Sequence, residues 1–292
     1  NSLPVIKELS KNKACNLFIQ KNKKIPKHVV SRDHPFGEVY LSENSINKIL
    51  PLLKRQKFLN KVDIYNNEKI DIDLNFFREL PINFNIDSVR WYSQLTGCFP
   101  DLSKNYLEVP THKNYKNYIV IMRSLRRQNK FINYSFLNSY NKLIFIGLKG
   151  EFESLKEQVN NLEFFDSKDF LELASIIKNA KIFIGNLSFG YAMAEAIKVP
   201  RLLESGPDFP LVYPNGNDGY DFYFHADYRR DLNYNYCKKV DYVMWGETDS
   251  FFPKEAFQVI ETLSEYTREQ NIHRYLLSFS DRKMWDSSWD PL

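Results

Sequence analysis

Three places in the chain put chemically capable side chains directly after a short apolar run. Arg123, Ser124, Arg126 and Arg127 follow YIVIM (118–122), and Gly147, Lys149 and Glu151 follow KLIFI (142–146). Gly185, Asn186 and Ser188 follow KIFI (181–184) and lead into an alanine-rich stretch that closes at Pro200. An arginine just after a strand can clamp a diphosphate through two parallel N–H bonds. A helix N-terminus offers free N–H groups and a partial positive charge, so it attracts phosphate. Gly185 would let the backbone approach closely, and Ser188 would add a hydroxyl donor. Together these residues suit a diphosphate held between Arg123 and the Asn186–Ser188 turn, with Ser124, Arg126 and Gly147 at neighbouring strand exits. Glu195 lies seven residues beyond Ser188, about two helical turns along the same face. Each residue also has a plainer use. Gly185 would serve a tight strand-to-helix turn, Ser188 an N-cap, the arginines a solvated loop, and Glu195 a helix surface. The conjunction carries the expectation, not any one residue.

The elements that must position these groups alternate regularly from residue 118 onward. YIVIM, KLIFIG (142–147), LEFF (162–165), KIFIG (181–185) and PRLLE (200–204) read as strands. FESLKEQVN (152–160) and DFLELASIIKNA (169–180) read as helices, the second capped by Ser167 or Asp169, with Phe170, Ala174 and Ile177 on one face. Strands that are apolar throughout and alternate with helices predict a parallel, doubly wound α/β sheet, which binds ligands beyond the carboxyl ends of its strands. Upstream, SLPVIKELS (2–10) and DSVRWYSQLTG (87–97) predict helices, and Ser45 opens a longer one that contains Pro51. NLFIQ (16–20), HVV (28–30), EVYLS (38–42), KVDIYN (61–66) and KIDIDL (69–74) are strand-like. The polar segment 100–117 is the expected domain boundary. Residues 205–245 read as loops, with YPNGNDGYDFYFHADY (213–228) a hairpin or a flap, and Pro253 opens a last helix.

Composition narrows the function. The chain has 292 residues, a net charge of +4 and dispersed Lys and Arg, without the basic block of a nucleic-acid footprint. Cys15, Cys98 and Cys237 are an odd, widely spaced set, which fits neither a disulfide framework nor a zinc knuckle and points to a reducing, cytoplasmic setting. The five histidines have no metal spacing. Asp71 and Asp73 spell an acidic pair, but within an alternating strand pattern. No metal site and no cofactor is expected, and no apolar run reaches the length of a membrane span.

IVIMRSLRRQN, FIGLKGEFESL and DFLELASIIKNAKIFIGNLSFGYAMAEAIKVPRLLE, in that order, resemble the second domain of GT-B glycosyltransferases, and within them the ADP-heptose:lipopolysaccharide heptosyltransferase group. The resemblance covers roughly residues 116–215. It implies a GT-B-like α/β fold with two Rossmann-like domains facing a cleft, divided as an acceptor-side domain (1–115), a nucleotide-sugar donor domain (116–250) and a C-terminal helix and tail (251–292). The implied reaction is metal-independent transfer of a sugar from a nucleotide-diphosphate donor to a surface glycan or glycolipid, with peripheral membrane contact at most. Glu195 would then meet a ribose or sugar hydroxyl. Leu3-Pro4 matches the family's first turn, but the Gly-Asp that precedes it there has no counterpart, so the general base is expected upstream of Asn1 and the first strand is expected to be missing. Asp33 and His34 are acceptor-side candidates. Two other readings stay open: a non-catalytic nucleotide or phospho-sugar binding protein, and a nucleotide-sugar epimerase on the same scaffold.

Overall fold

A computed structural model describes residues 1–25, 39–76, 88–129, 132–206 and 212–222, with the backbone of 242–246 and 275–279. The chain forms two compact units, residues 1–223 and 224–292. Within the second, the described residues are two strands, β9 (Tyr242–Gly246) and β10 (Tyr275–Phe279), which pair in parallel.

The first unit begins with α1 (Leu3–Leu9), β1 (Asn16–Ile19), α2 (Glu43–Lys54), β2 (Lys61–Ile64) and α3 (Ser88–Thr96). β1 and β2 pair in parallel, Asn16 opposite Lys61. Ile6, Ile19, Ile46, Leu53, Leu59 and Val62 form the core beneath them. Helix α2 starts earlier than expected. Ser42, not Ser45, holds the extended N-cap conformation, and its hydroxyl accepts the Ser45 N–H at 3.2 Å. Pro51 is therefore interior, and the helix runs past it to Lys54. KIDIDL is not a strand, because Asp73 Oδ1 takes the Asn75 N–H at 2.8 Å and turns the chain. Of EVYLS, Val39 makes one antiparallel bridge to Lys24. Gly97 ends α3 at a φ of +67°, a conformation glycine takes without cost.

The rest of this unit holds β3 (Ile119–Met122), β4 (Leu143–Ile146), α4 (Lys149–Lys156), β5 (Leu162–Phe165), α5 (Phe170–Lys178), β6 (Ile182–Asn186), α6 (Phe189–Ile197), β7 (Arg201–Glu204) and β8 (Gly219–Phe222). The six strands form one parallel sheet in the order β5-β4-β3-β6-β7-β8. Val120, Ile144, Ile146 and Phe183 come from its strands into a core shared with Ala174, Ile177 and Ala194 from the helices. That burial on both faces explains the unbroken apolar runs. Asp169 caps α5 by accepting the Glu172 N–H at 2.8 Å. The expected hairpin or flap at 213–228 is instead, up to Phe222, a turn leading into β8, which continues the sheet in parallel beside β7. Segment 100–117 joins the two sheets and lies inside the first unit. It is fastened to the turn just after α2 by Gln56, whose amide both accepts the Glu108 N–H at 2.9 Å and donates to the Glu108 carbonyl at 3.0 Å. HVV and the helix expected after Pro253 fall outside the described residues.

Candidate functional site

From β3 the chain moves outward through β4 and β5; it then returns to β6 on the other side of β3 and moves outward again through β7 and β8. The direction of winding thus reverses between β3 and β6. At such a switch point the loops at the carboxyl ends lead away from each other, which opens the ordinary ligand position of this architecture. The exits of β3, β4 and β6 carry the three polar groups singled out in the sequence.

The structure uses several of those groups internally. Arg123 turns into the protein and is 3% exposed. Its Nε donates to Glu204 Oε2 at 2.7 Å and its Nη2 to Oε1 at 3.1 Å, with further bonds to the carbonyls of Asn129 and Ile132. The guanidinium lies 4.5 Å from the Tyr134 ring centroid. Glu204 also accepts the Asn129 N–H at 2.6 Å and the Tyr134 hydroxyl at 2.7 Å. Burial works against the Arg123 charge, but Tyr134 and Glu204 outweigh it and hold the group above its ordinary pKa. Arg123 is therefore committed to Glu204 across the end of β6 and not to a ligand.

Asn186 is fully buried and continues the sheet by one rung. Its side-chain oxygen accepts the Ser124 N–H at 2.8 Å, and its Nδ2 donates to the Ser124 carbonyl at 2.7 Å. The strand therefore runs through Gly185 and does not stop there. The space left by the missing Cβ belongs to the neighbouring Met122 carbonyl and the Phe183 ring, not to an approaching phosphate. Ser188 is the N-cap of α6, its hydroxyl accepting the Tyr191 N–H at 3.3 Å. Ser188→Ala is expected to lower stability by about 1 kcal/mol through loss of this cap, measured by chemical denaturation.

Glu195 lies elsewhere. Helix α6 runs back antiparallel to the strands, so seven residues carry Glu195 about 10 Å from Ser188, toward the amino edge of the sheet. There it is buried and forms ion pairs with Lys198 and Arg201, and it accepts the Asn215 N–H at 3.2 Å. Its carboxylate is occupied and far from the strand exits. Asp33 and His34 lie outside the described residues.

The carboxyl edge nevertheless keeps groups free to meet a ligand. Arg126 and Lys149 are exposed cations on the β3 and β4 exits. The first turn of α6 leaves the N–H of the exposed Phe189 without an intrahelical partner. Leu125, Leu148 and Phe189, one from each exit, are 52%, 43% and 38% exposed. Gly147, at a φ of +154°, makes room for the buried carboxylate of Glu151. This edge therefore offers cations and an N–H donor beside apolar surface.

Sequence reasoning missed Glu204, Tyr134 and Arg201. A charged residue at each end of the apolar PRLLE run was a usable signal, since a strand buried on both faces has no solvent for either charge.

No protein-family model and no curated protein matches the chain. The fold defines a doubly wound α/β protein with a switch point between β3 and β6. Among solved structures the chain is similar to the iron-containing dodecameric heptosyltransferase TibC of Escherichia coli in complex with ADP-D-beta-D-heptose: 15% identity, TM-score 0.42, 63% of this chain and 54% of that one. It is similar to E. coli heptosyltransferase WaaC with ADP-2-deoxy-2-fluoro heptose at 14% identity and TM-score 0.33, over 56% of this chain and 53% of that one. It is also similar to a family 9 glycosyl transferase of Veillonella parvula DSM 2008 at 11% identity and TM-score 0.34, over 72% and 64%. The chain thus spans between 53% and 64% of the length of these proteins. No described helix is long and apolar enough to cross a membrane.

Proposed function

We propose that the chain binds a nucleoside-diphosphate sugar over the β3–β6 switch point and that the sugar passes, without a metal, to a surface-glycan or glycolipid acceptor on the cytoplasmic side. The observation that carries this reading is the carboxyl edge itself. Arg126, Lys149 and the first turn of α6 suit a diphosphate. The apolar side chains Leu125, Leu148 and Phe189 suit the flat faces of a base or sugar. The resemblance of residues 116–215 to the heptosyltransferase donor domain points to the same ligand class. Transfer with inversion needs a base at the acceptor hydroxyl.

The test is calorimetry of the chain against ADP, UDP, GDP and CDP. One of the four is expected to bind, and Arg126→Ala with Lys149→Ala is expected to weaken it about tenfold or more, as befits lost hydrogen bonds to charged groups. Arg123→Ala is not a probe of this site, because it strands Glu204. No binding by any of the four to folded protein would sink the reading.

A binding protein without turnover is the second reading. It is favoured by the state of Glu204 at the β7 exit, whose carboxylate is held in an internal ion pair with Arg123. The same observation weighs against an epimerase, which needs a free acid and base over one ligand.

A further inference from the structure

The loop that leaves β3 is anchored at both ends and open in the middle. Ser124 and Asn129 are 7% and 5% exposed, whereas Leu125 between them is 52% exposed and Arg126 faces solvent. The first anchor is Ser124, whose backbone N–H and carbonyl are both taken by the Asn186 side chain at the β6 exit. The same carbonyl accepts the Arg127 N–H at 3.3 Å and rolls Leu125–Arg127 into one 3₁₀ turn.

The second anchor is Asn129. Its N–H donates to Glu204 Oε1 at 2.6 Å, its carbonyl accepts Arg123 Nη2 at 3.3 Å, and its Nδ2 donates to the Ser205 carbonyl at 2.8 Å. Ser205 is itself fixed, because its N–H donates to the Phe222 carbonyl at 2.9 Å at the end of β8. The Arg123–Glu204 ion pair accounts for the first two bonds of Asn129, since a buried pair needs its remaining hydrogen-bonding capacity filled. It does not account for the third. The side-chain amide reaches past the pair and fastens the loop to the β7 exit. A surface loop can satisfy its backbone with water, so such fastening has to serve what lies between the anchors. What lies there is Arg126.

We propose that Asn129 is a positioning residue, whose amide, tied to the Ser205 carbonyl, holds the β3 exit loop so that Arg126 meets its ligand already in place. The ligand half of this inference rests on the reading of the carboxyl edge as a nucleoside-diphosphate site. Each residue fixed in one backbone conformation loses entropy. Anchors at both ends of the loop incur that loss on folding, so binding does not incur it again. Asn129 is buried and acts only through the loop that it holds.

The side-chain tie can be removed without breaking the ion pair. Asn129→Ala keeps the backbone N–H that serves Glu204 and the carbonyl that serves Arg123, and it deletes the bond to Ser205. The test compares wild type, Asn129→Ala, Arg126→Ala and the double variant. Amide exchange is followed at 125–128, with 119–122 in β3 as the reference, and calorimetry is run with ADP, UDP, GDP and CDP. In Asn129→Ala, exchange at 125–128 is expected to rise about tenfold while that at 119–122 is unchanged. Affinity for the nucleotide that wild type binds is expected to fall about tenfold. In the Arg126→Ala background the same substitution is expected to change affinity less than about twofold, because the group it positions has gone. Should Asn129→Ala not fold, Asn129→Ser carries the same comparison, with a hydroxyl one atom shorter than the amide.

Wild-type affinity in Asn129→Ala, or unchanged exchange at 125–128, would overturn the proposal. So would an equal loss of affinity with and without Arg126, which is the mark of an amide that serves the fold alone. If wild type binds none of the four nucleotides, the reading of the edge fails and takes the ligand half with it, and exchange at 125–128 alone decides whether the anchor exists.

Discussion

Glu204→Gln is expected to destabilise the 1–223 unit by about 3–5 kcal/mol, because it leaves the Arg123 guanidinium buried without its anion. For a domain of this size that is a fall of roughly 6–20 °C in melting temperature. The pair is 4% and 0% exposed at its side chains, so solvent can do little to relieve the stranded charge. The Asn129 N–H and the Tyr134 hydroxyl also lose a charged acceptor. The informative control is the double variant Arg123→Met with Glu204→Leu. Removing both charges together is expected to recover part of the loss, since no charge is then stranded, although the Asn129 N–H and the Tyr134 hydroxyl still lack an acceptor. A single variant as stable as wild type, measured by calorimetric melting, would show that the pair is not buried as described. Arg123→Ala should behave like Glu204→Gln, so any loss of ligand binding in that variant must be read against its loss of fold.

Gly185→Ala is the second large effect, expected at about 3 kcal/mol. A Cβ at this position would enter the Met122 carbonyl oxygen, a backbone atom that can yield only if β3 and β6 separate, and would stand 3.0 Å from the Phe183 ring. Because β3 and β6 flank the switch point, the damage is expected at the carboxyl edge itself. The measurement is denaturant unfolding together with amide exchange across 119–122 and 182–186. Wild-type stability in this variant would mean that the glycine serves no packing need. Gly150→Ala is the matched control, since a Cβ there meets nothing within 4 Å.

Much of the sheet was legible because its inner strands β3, β4, β6 and β7 are buried on both faces. IVIM, LIFI, LEFF, IFIG and RLLE announce themselves as apolar runs, and Asp169 and Ser188 as caps. β8 was not legible. GYDF owes its place to pairing with β7 and carries no run of its own. KIDIDL shows the opposite failure, an alternating pattern overruled by Asp73 turning its own backbone. At the site, the location was readable but the division of labour was not. Arg123 and Arg126 are three residues apart in one polar stretch, yet one is sealed against Glu204, 81 positions away, and the other faces solvent. Glu195 was misplaced because a shared helical face was taken for nearness, whereas the helix carries it toward the other edge of the sheet. Long-range charge pairing leaves little trace in local spacing.

Strand β7 is four residues long, and it begins and ends with a buried charge, Arg201 held by Glu195 and Glu204 held by Arg123. Its two middle residues are both leucine and would fit the core in more than one alignment. Hydrophobic patterning alone therefore cannot say which residue of β7 lies beside which residue of β6. The two ion pairs can, because sliding the strand by one position would pull both charges off their partners at once. β7 is in this sense keyed at both ends like a bolt in a lock, and the key, not the oil around it, sets where the last strand exits of the sheet come to rest.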